Sequence, residues 1–329
     1  MNDFEIIKKL KGGSFSSTAV IDIPGLGKRV RKSISRCEER EYGLVRWQSQ
    51  VRRMQHLQTV LPNNTPQVLN MGTSGSNFFY DIPYYESSQN LYEYLSERGS
   101  VEAGEIFDQI ISLMDVCKKT KYGNVTGSFN VFLCEEVIGR LMNIDARLED
   151  LCLNSKITVA EAKYVRDRID IVFPILEKVV LESKHWVIEE SLTHGNLTLE
   201  NALYNHETQS IILIDPYSET YCESTLGDIS QLMQSSVSFY EYFVSQGETN
   251  VDEYFKISAK ENINGVYHFG KLIIDYVSGL TVHEKKLVML FHASQFFRMF
   301  PFKIKKTPRL AIYFLLHGIE IIKSGISDA

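Results

Sequence analysis

The segment Thr193-His194-Gly195-Asn196-Leu197-Thr198-Leu199-Glu200-Asn201 decides the fold class, together with the apolar run Ile211-Ile212-Leu213-Ile214-Asp215. The first segment leads into a short strand, Ala202 to Tyr204, and a polar link joins that strand to the apolar run. This hairpin would bring the side chains of Asn201 and Asp215 together. An amide oxygen and a carboxylate suit a hard divalent cation that also holds phosphate. The pattern predicts a phosphoryl-transfer loop, and the alternative is an accidental His-Gly turn beside a hairpin.

Composition limits the classes of protein that the chain can belong to. Its 329 residues, 44% of them hydrophobic and 23% charged, are typical of a soluble protein with a sizeable core. A net charge of -6 argues against nucleic acid or an anionic membrane as a partner. We expect no membrane span and no secretory signal. Five scattered cysteines argue against a disulfide framework or a zinc site and favour a cytoplasmic location.

The distribution of patterns predicts two lobes in an α+β arrangement, with a small antiparallel β lobe over residues 1–86 and a larger helical lobe over 87–329. Ser87 to Asn90 is interpreted as a polar break between them. The predicted strands of the small lobe are Phe4 to Leu10, Thr18 to Ile23, Lys28 to Ile34, Gln67 to Gly72 and Asn77 to Tyr84, with one helix from Arg36 to Leu57. The predicted helices of the large lobe are 102–118, 131–152, 158–183, 227–246, 266–278, 282–299 and 308–323.

The small lobe offers candidates for contacts with a phosphate chain. The loop from Gly12 to Ser17 holds Gly13, Ser14 and Ser16, whose small side chains let a backbone approach a phosphate, although a simple turn explains a Gly-Gly pair equally well. Lys32 shares a strand face with Val30, so it is the preferred cation, and the alternative is a solvated basic strand. Glu41 is the preferred ion-pair partner of Lys32, and Glu38 and Glu39 are competitors for this role. The alternative is that Glu41 is simply an acidic residue that favours a helix N-terminus.

The loop resembles the aminoglycoside phosphotransferase and choline kinase-like family, whose pattern is H-G-D-x-x-x-x-N followed by a hydrophobic strand that ends in Asp. The resemblance implies a protein kinase-like fold with ATP between the lobes and Mg²⁺ held by Asn201 and Asp215. It also implies that the backbone of Tyr84 touches the adenine and that Asp228, in Leu226-Gly227-Asp228-Ile229, braces the loop. His194 is then a buried scaffold residue at the catalytic loop.

Asn196 departs from the family pattern, because it stands where the family has the Asp that accepts or orients the substrate hydroxyl proton. An amide cannot accept that proton at neutral pH, although it can hydrogen-bond the hydroxyl. Three explanations remain: an engineered Asp-to-Asn change, a natural pseudokinase that binds ATP or a metabolite without turnover, or a kinase with another base. We favour the first, because Lys32, Asn201, Asp215 and Asp228 all remain.

The acceptor implied by the resemblance is a hydroxyl group of a small molecule. The mixture of Tyr217, Ser218 and Tyr221 favours a saccharide or a sugar derivative, whereas a cationic acceptor would use Glu219 and Glu223. Separately, Arg298 is a candidate for binding an anionic substrate group, and the alternative is a packed or surface arginine.

Overall fold

The computed structural model describes residues 4–10, 16–35, 40–124, 127–154, 156–217, 221–247 and 264–327. Within these residues, five strands form an antiparallel sheet in the order β1-β2-β3-β5-β4. The strands are β1 (Glu5–Leu10), β2 (Ser16–Ile23), β3 (Gly27–Ser35), β4 (Asn70–Ser74) and β5 (Asn77–Pro83). Each strand predicted for the small lobe is found, with its ends moved by up to three residues.

One long helix, α1 (Arg40–Val60), covers this sheet. Val51 and Met54 of α1 pack against Tyr80 and Ile82 of β5 in a small separate core. Trp47 joins them from the edge and donates its indole N–H to the carbonyl of Phe79 at 3.0 Å. The helix predicted for the small lobe is therefore found as α1, and this packing holds it beside β3 and β5.

The segment after the sheet corrects one interpretation of the sequence. Ser88–Asn90, taken as part of a polar break, is a strand, β6, that pairs with β9 (Ala202–Asn205). Outside the sheet of the small lobe, β10 (Ser210–Leu213) continues this ladder, and a second short pair joins β7 (Lys121–Asn124) to β8 (Glu189–Ser191). The pairing of β6 with β9 holds the start of the helical lobe against the hairpin that follows Asn201. The division between the lobes after residue 86 stays a prediction.

The larger lobe is helical, and its two main cores meet around α8. α8 packs against α3, α10 and α11. The helices are α2 (Leu91–Ser96), α3 (Ser100–Lys119), α4 (Gly127–Phe132), α5 (Gly139–Met142), α6 (Ile144–Leu153), α7 (Val159–Glu182), α8 (Thr225–Ser236), α9 (Tyr240–Gln246), α10 (Asn264–Ser278), α11 (Val282–Lys303) and α12 (Pro308–Ser327). None of the helices that the structure describes is both long and apolar enough to cross a bilayer.

Two predicted helices are interrupted. The helix predicted over 131–152 contains a π-helical turn, Leu133–Ile138, between α4 and α5. The helix predicted over 227–246 breaks at Phe239, whose φ of 51° lies in the left-handed region and separates α8 from α9. Both breaks adjoin the site described below, since Glu136 and Tyr240 line its cavities.

Candidate functional site

The turn at Gly195 shapes the centre of the site. Its φ of 73° is left-handed, and a Cβ at this position would lie 1.8 Å from the carbonyl oxygen of Tyr217. The Tyr217 N–H in turn donates to the carbonyl of His194 at 2.8 Å. Only glycine satisfies both the conformation and the close approach. The local sequence His194-Gly195-Asn196 therefore folds as a tight turn that is tied to the segment after β10.

His194 holds this turn from inside. Its Nε2 lies 2.9 Å from the carbonyl oxygen of Ile214, so Nε2 carries the proton of the neutral ring and donates it. Burial lowers the pKa of His194 to about 4, which keeps the ring neutral at physiological pH. The sequence analysis expected His194 to be a buried scaffold residue, and its burial and its hydrogen bond to Ile214 agree with that expectation.

Asp228, at the start of α8, braces the same turn. Its two carboxylate oxygens accept the N–H groups of His194 and Gly195, each at 2.8 Å. Burial raises the pKa of Asp228 to about 7, while these two donors act in the opposite direction. Gln231, three residues later, accepts the Leu197 N–H and donates to the Gly195 carbonyl at 2.9 Å. One helical face thus satisfies the buried backbone of the loop.

An ion pair between the buried Lys32 and the partly exposed Asp215 joins the two lobes at the centre of the site. Nζ of Lys32, on β3, lies 2.7 Å from Oδ2 of Asp215, which follows β10. The Tyr80 hydroxyl donates to the other carboxylate oxygen at 3.2 Å. Burial raises the pKa of an isolated carboxyl, but Lys32 and Tyr80 hold the pKa of Asp215 below its usual value. Asp215 itself has a φ of 54°, a strained conformation of the kind found at functional sites.

The two asparagines of the loop lie beside this pair. The Asn196 side chain donates from Nδ2 to the backbone carbonyl of Asp215 at 3.1 Å. Asn201 donates from its own Nδ2 to the backbone carbonyl of Asn196 at 2.8 Å. Its N–H donates to the Thr198 carbonyl at 3.0 Å in a tight turn, and its carbonyl accepts the Ile214 N–H at 2.9 Å. The predicted neighbours Asn196, Asn201 and Asp215 therefore do come together, and each lines one cleft.

This cleft, of about 780 Å³, runs between the sheet, the connector and the helical lobe. Val30 and Lys32 line it together, as the shared strand face predicted. Arg46 of α1 lines it as well, with its guanidinium 5.0 Å from the ring centre of Tyr217. Arg46 was not selected from the sequence, since no local pattern distinguishes it from the other basic residues of α1.

The remaining candidates of the small lobe divide into three groups. Tyr84 lines the cleft beside Ile82, just after β5, where the sequence placed the connector. Ser16 begins β2, opposite Ile34 of β3. Gly13, Ser14 and the side chain of Glu41 lie outside the described residues. The sequence analysis preferred Glu41 as the ion-pair partner of Lys32. Among the described residues, Lys32 forms its ion pair with Asp215.

Two buried arginines were missed by the sequence analysis. Arg53 of α1 donates to the carbonyl of Thr193 at 3.4 Å and forms an ion pair with Glu223. This pair ties Glu223 to the helix that supports the loop, whereas the sequence analysis considered Glu223 only for the less favoured case of a cationic acceptor. On β3, Arg31 makes a two-pronged ion pair with Asp81 at 2.7 and 2.8 Å. Both pairs are long-range, so only the folded chain reveals them.

The described residues of the cleft offer few oxygen ligands for a metal ion. The described residues contain no group of three or more His, Cys, Asp or Glu side chains that could hold an ion. Asp215, which has a carboxylate, and Asn201, which has an amide oxygen, nevertheless line the same cleft, and the Asp215 side chain is 28% exposed. Mg²⁺ is commonly held by one or two such groups with phosphate oxygens and waters completing its shell. The residues therefore fit Mg²⁺ only as a partner of a bound phosphate chain.

Comparison with known proteins gives the fold. No protein-family model matches the sequence, and no curated protein matches it significantly. The crystal structure of a candidate fructosamine-3-kinase from Haemophilus somnus 129PT aligns with a TM-score of 0.53 and 14% identity, over 98% of this chain and 92% of that one. A second, from Thermobifida fusca YX-ER1, aligns with a TM-score of 0.54 and 10% identity, over 98% and 94%.

The chain has a protein kinase-like fold. The predicted α+β class and the two-lobe architecture are confirmed. The cleft of about 780 Å³ lies between the small sheet and the loop from His194 to Asn201. Identities of 10% and 14% carry no residue roles, so those roles rest on the contacts above.

Proposed function

We propose that the chain is a small-molecule kinase that transfers a phosphoryl group from ATP to a hydroxyl of a saccharide or sugar derivative. The observation that carries the proposal is the ion pair of Lys32 with Asp215, set across the lobes beside Asn201 in one cleft. Phosphoryl transfer asks mainly for positioning and for neutralisation of phosphate charge. The two structural neighbours, which bear the name of a sugar-directed kinase, support the same class of acceptor.

The nucleotide would lie along the cleft between the connector and the loop. The backbone of Tyr84 is the candidate contact for adenine, since Pro83 has no N–H. Lys32 and Arg46 supply positive charge for the phosphates. Gly13, Ser14 and Ser16 remain candidates for the phosphate-covering loop, and Glu41 for the partner that Lys32 adopts once nucleotide is bound. Mg²⁺, held by Asn201 and Asp215, would neutralise phosphate charge.

Asn196 occupies the position that would orient the acceptor hydroxyl. Its amide nitrogen donates to the Asp215 carbonyl, a bond that a carboxylate cannot make. We therefore propose that this form is impaired in proton removal. The same bond supports a second candidate function, a pseudokinase that binds nucleotide or a metabolite without turnover. In that case the Asn196 amide stabilises the loop through its hydrogen bond to Asp215 and has no role in proton transfer.

The Asn196→Asp protein separates the two functions. Incubated with Mg-ATP and a panel of sugars, amino sugars and sugar derivatives, it should phosphorylate at least one compound about 10²- to 10⁴-fold faster than the unchanged chain, the usual contribution of a general base. Phosphorylated product is detected by mass spectrometry. A variant that binds Mg-ATP yet transfers to no member of the panel would favour the pseudokinase.

A further inference from the structure

One face of α11 forms part of the helical-lobe wall of the cleft. Gln295, Arg298, Met299 and Phe302 recur at steps of three and four residues, and all four line the cleft. Arg298 also lines a small cavity of about 30 Å³ behind the loop, which Gly195 borders as well. Arg298 therefore lies between the cleft and the underside of the loop that carries Asn196.

Two guanidinium groups, those of Arg298 and Arg140, approach the carboxylate of Glu136. A second carboxylate, on Asp228, lines the same small cavity, but its two oxygens accept the backbone N–H groups of His194 and Gly195. Both carboxylate oxygens of Glu136, on the π-helical turn, are bound by Arg140 at 2.8 and 2.9 Å. Arg298 lies farther away, with its Nε 3.7 Å from the nearer Glu136 oxygen. Two guanidinium groups thus share one carboxylate, and the closer one occupies its hydrogen-bonding positions. The Arg298 side chain is 27% exposed and lines the cleft.

We propose that Arg298 binds an anionic group, a carboxylate or a phosphate, on the acceptor molecule, an inference that rests on the proposed kinase function. A guanidinium fork pairs with either group through two parallel hydrogen bonds. Met299, Phe302 and Tyr217 offer apolar and aromatic surface for the carbon skeleton of the same molecule. Glu136 is a positioning residue, because it steadies the guanidinium of Arg298 without competing for its hydrogen bonds.

Calorimetric titration with ligands that share one hexose skeleton tests the proposal. The four arms are the neutral sugar, its uronic acid, its 6-phosphate and its amino derivative, which is included because the acidic residues Glu93 and Glu200 also line the cleft. We expect the uronic acid or the phosphate to bind most tightly, and the comparison of these two identifies the anionic group.

Arg298→Gln should weaken binding of the preferred anionic sugar about 10- to 100-fold, the equivalent of losing charge-assisted hydrogen bonds, and leave the neutral sugar unaffected. Arg298→Lys keeps the charge without the fork and should recover only part of the loss. The matched control is Arg168→Gln, since Arg168 is 32% exposed, lies 3.5 Å from Glu320 and does not line the cleft. This control should bind every ligand as the unchanged chain does.

The proposal is overturned if no anionic sugar binds, if the amino sugar binds most tightly, or if Arg298→Gln affects charged and neutral sugars alike. A parallel titration with Mg-ATP keeps the kinase proposal separate. Normal Mg-ATP binding without preference for anionic sugars refutes the role of Arg298 alone. Arginine-dependent binding of an anionic sugar without any Mg-ATP binding refutes the kinase function.

Discussion

Replacement of Gly195 by Ala is the sharpest structural test of how the loop is built. The new Cβ would lie 1.8 Å from the carbonyl oxygen of Tyr217, which would have to retreat by roughly 1.2 Å to reach the 3.0 Å limit of real contacts. We expect that retreat to break the bond from the Tyr217 N–H to the His194 carbonyl, because both Tyr217 groups belong to the same short backbone segment. The left-handed φ adds about 1–2 kcal/mol for a residue with a Cβ, and a lost hydrogen bond that leaves a buried group unpaired adds about 1–3 kcal/mol.

The chain contains a matched control for this change. Gly25, in the turn between β2 and β3, has a φ of 78°, but a Cβ there would have nothing within 4 Å. Gly25→Ala should therefore cost about 1 kcal/mol of unfolding free energy, and Gly195→Ala about 3 kcal/mol. Urea unfolding followed by tryptophan fluorescence measures both variants. Equal losses for the two variants would refute the claim that the backbone of Tyr217 packs against this turn.

Three further experiments test the supports of the site and the core. Asp228→Asn should lower the free energy of unfolding by about 1–3 kcal/mol, because an amide NH₂ then faces one of two buried backbone donors; chemical denaturation measures it, and an unchanged midpoint would contradict the brace. In a double-mutant cycle by the same method, Arg53→Met and Glu223→Gln should be non-additive by about 0.5–3 kcal/mol, and additivity would contradict their coupling. Burial lowers the pKa of His292 to about 3 and of His317 to about 4, so below pH 6.5 only the unfolded chain takes up these protons and stability falls as pH falls towards 4. Replacing His317 by Gln should flatten that fall by up to about 1.4 kcal/mol per pH unit, whereas an unchanged slope would exclude a buried neutral His317.

The sequence predicted those parts of the molecule whose signals are local. His194, Asn201 and Asp215 could be placed together because their spacing specifies a loop and a hairpin, and β9 and β10 form that hairpin. Helix positions followed from apolar spacing, because most helices bury a stripe of such residues. The brace by Asp228 was implied by the resemblance to the kinase-like family, not by a local pattern of its own.

The features that the sequence did not predict depend on partners far along the chain. β6 is a strand because β9 pairs with it, and its polar residues show no alternation of their own. The break at Phe239 depends on a left-handed φ that its residue type does not favour. Arg46 and Arg53 look like ordinary basic positions of α1 until the loop packs beside them. Tertiary contacts therefore decide the details of the cleft, whereas local patterns predicted several of the polar residues that line it.

Calorimetric titration with ATP, with and without Mg²⁺, tests the central claim most directly. Binding should be saturable, tighter with Mg²⁺, and lost in Lys32→Met. The matched control is Lys286→Met, since Lys286 is also buried and pairs with Glu182 at 3.1 Å but does not line the cleft. That variant should bind Mg-ATP as the unchanged chain does. No binding by the unchanged chain, or equal binding by both variants, would contradict a nucleotide site between Lys32 and Asp215.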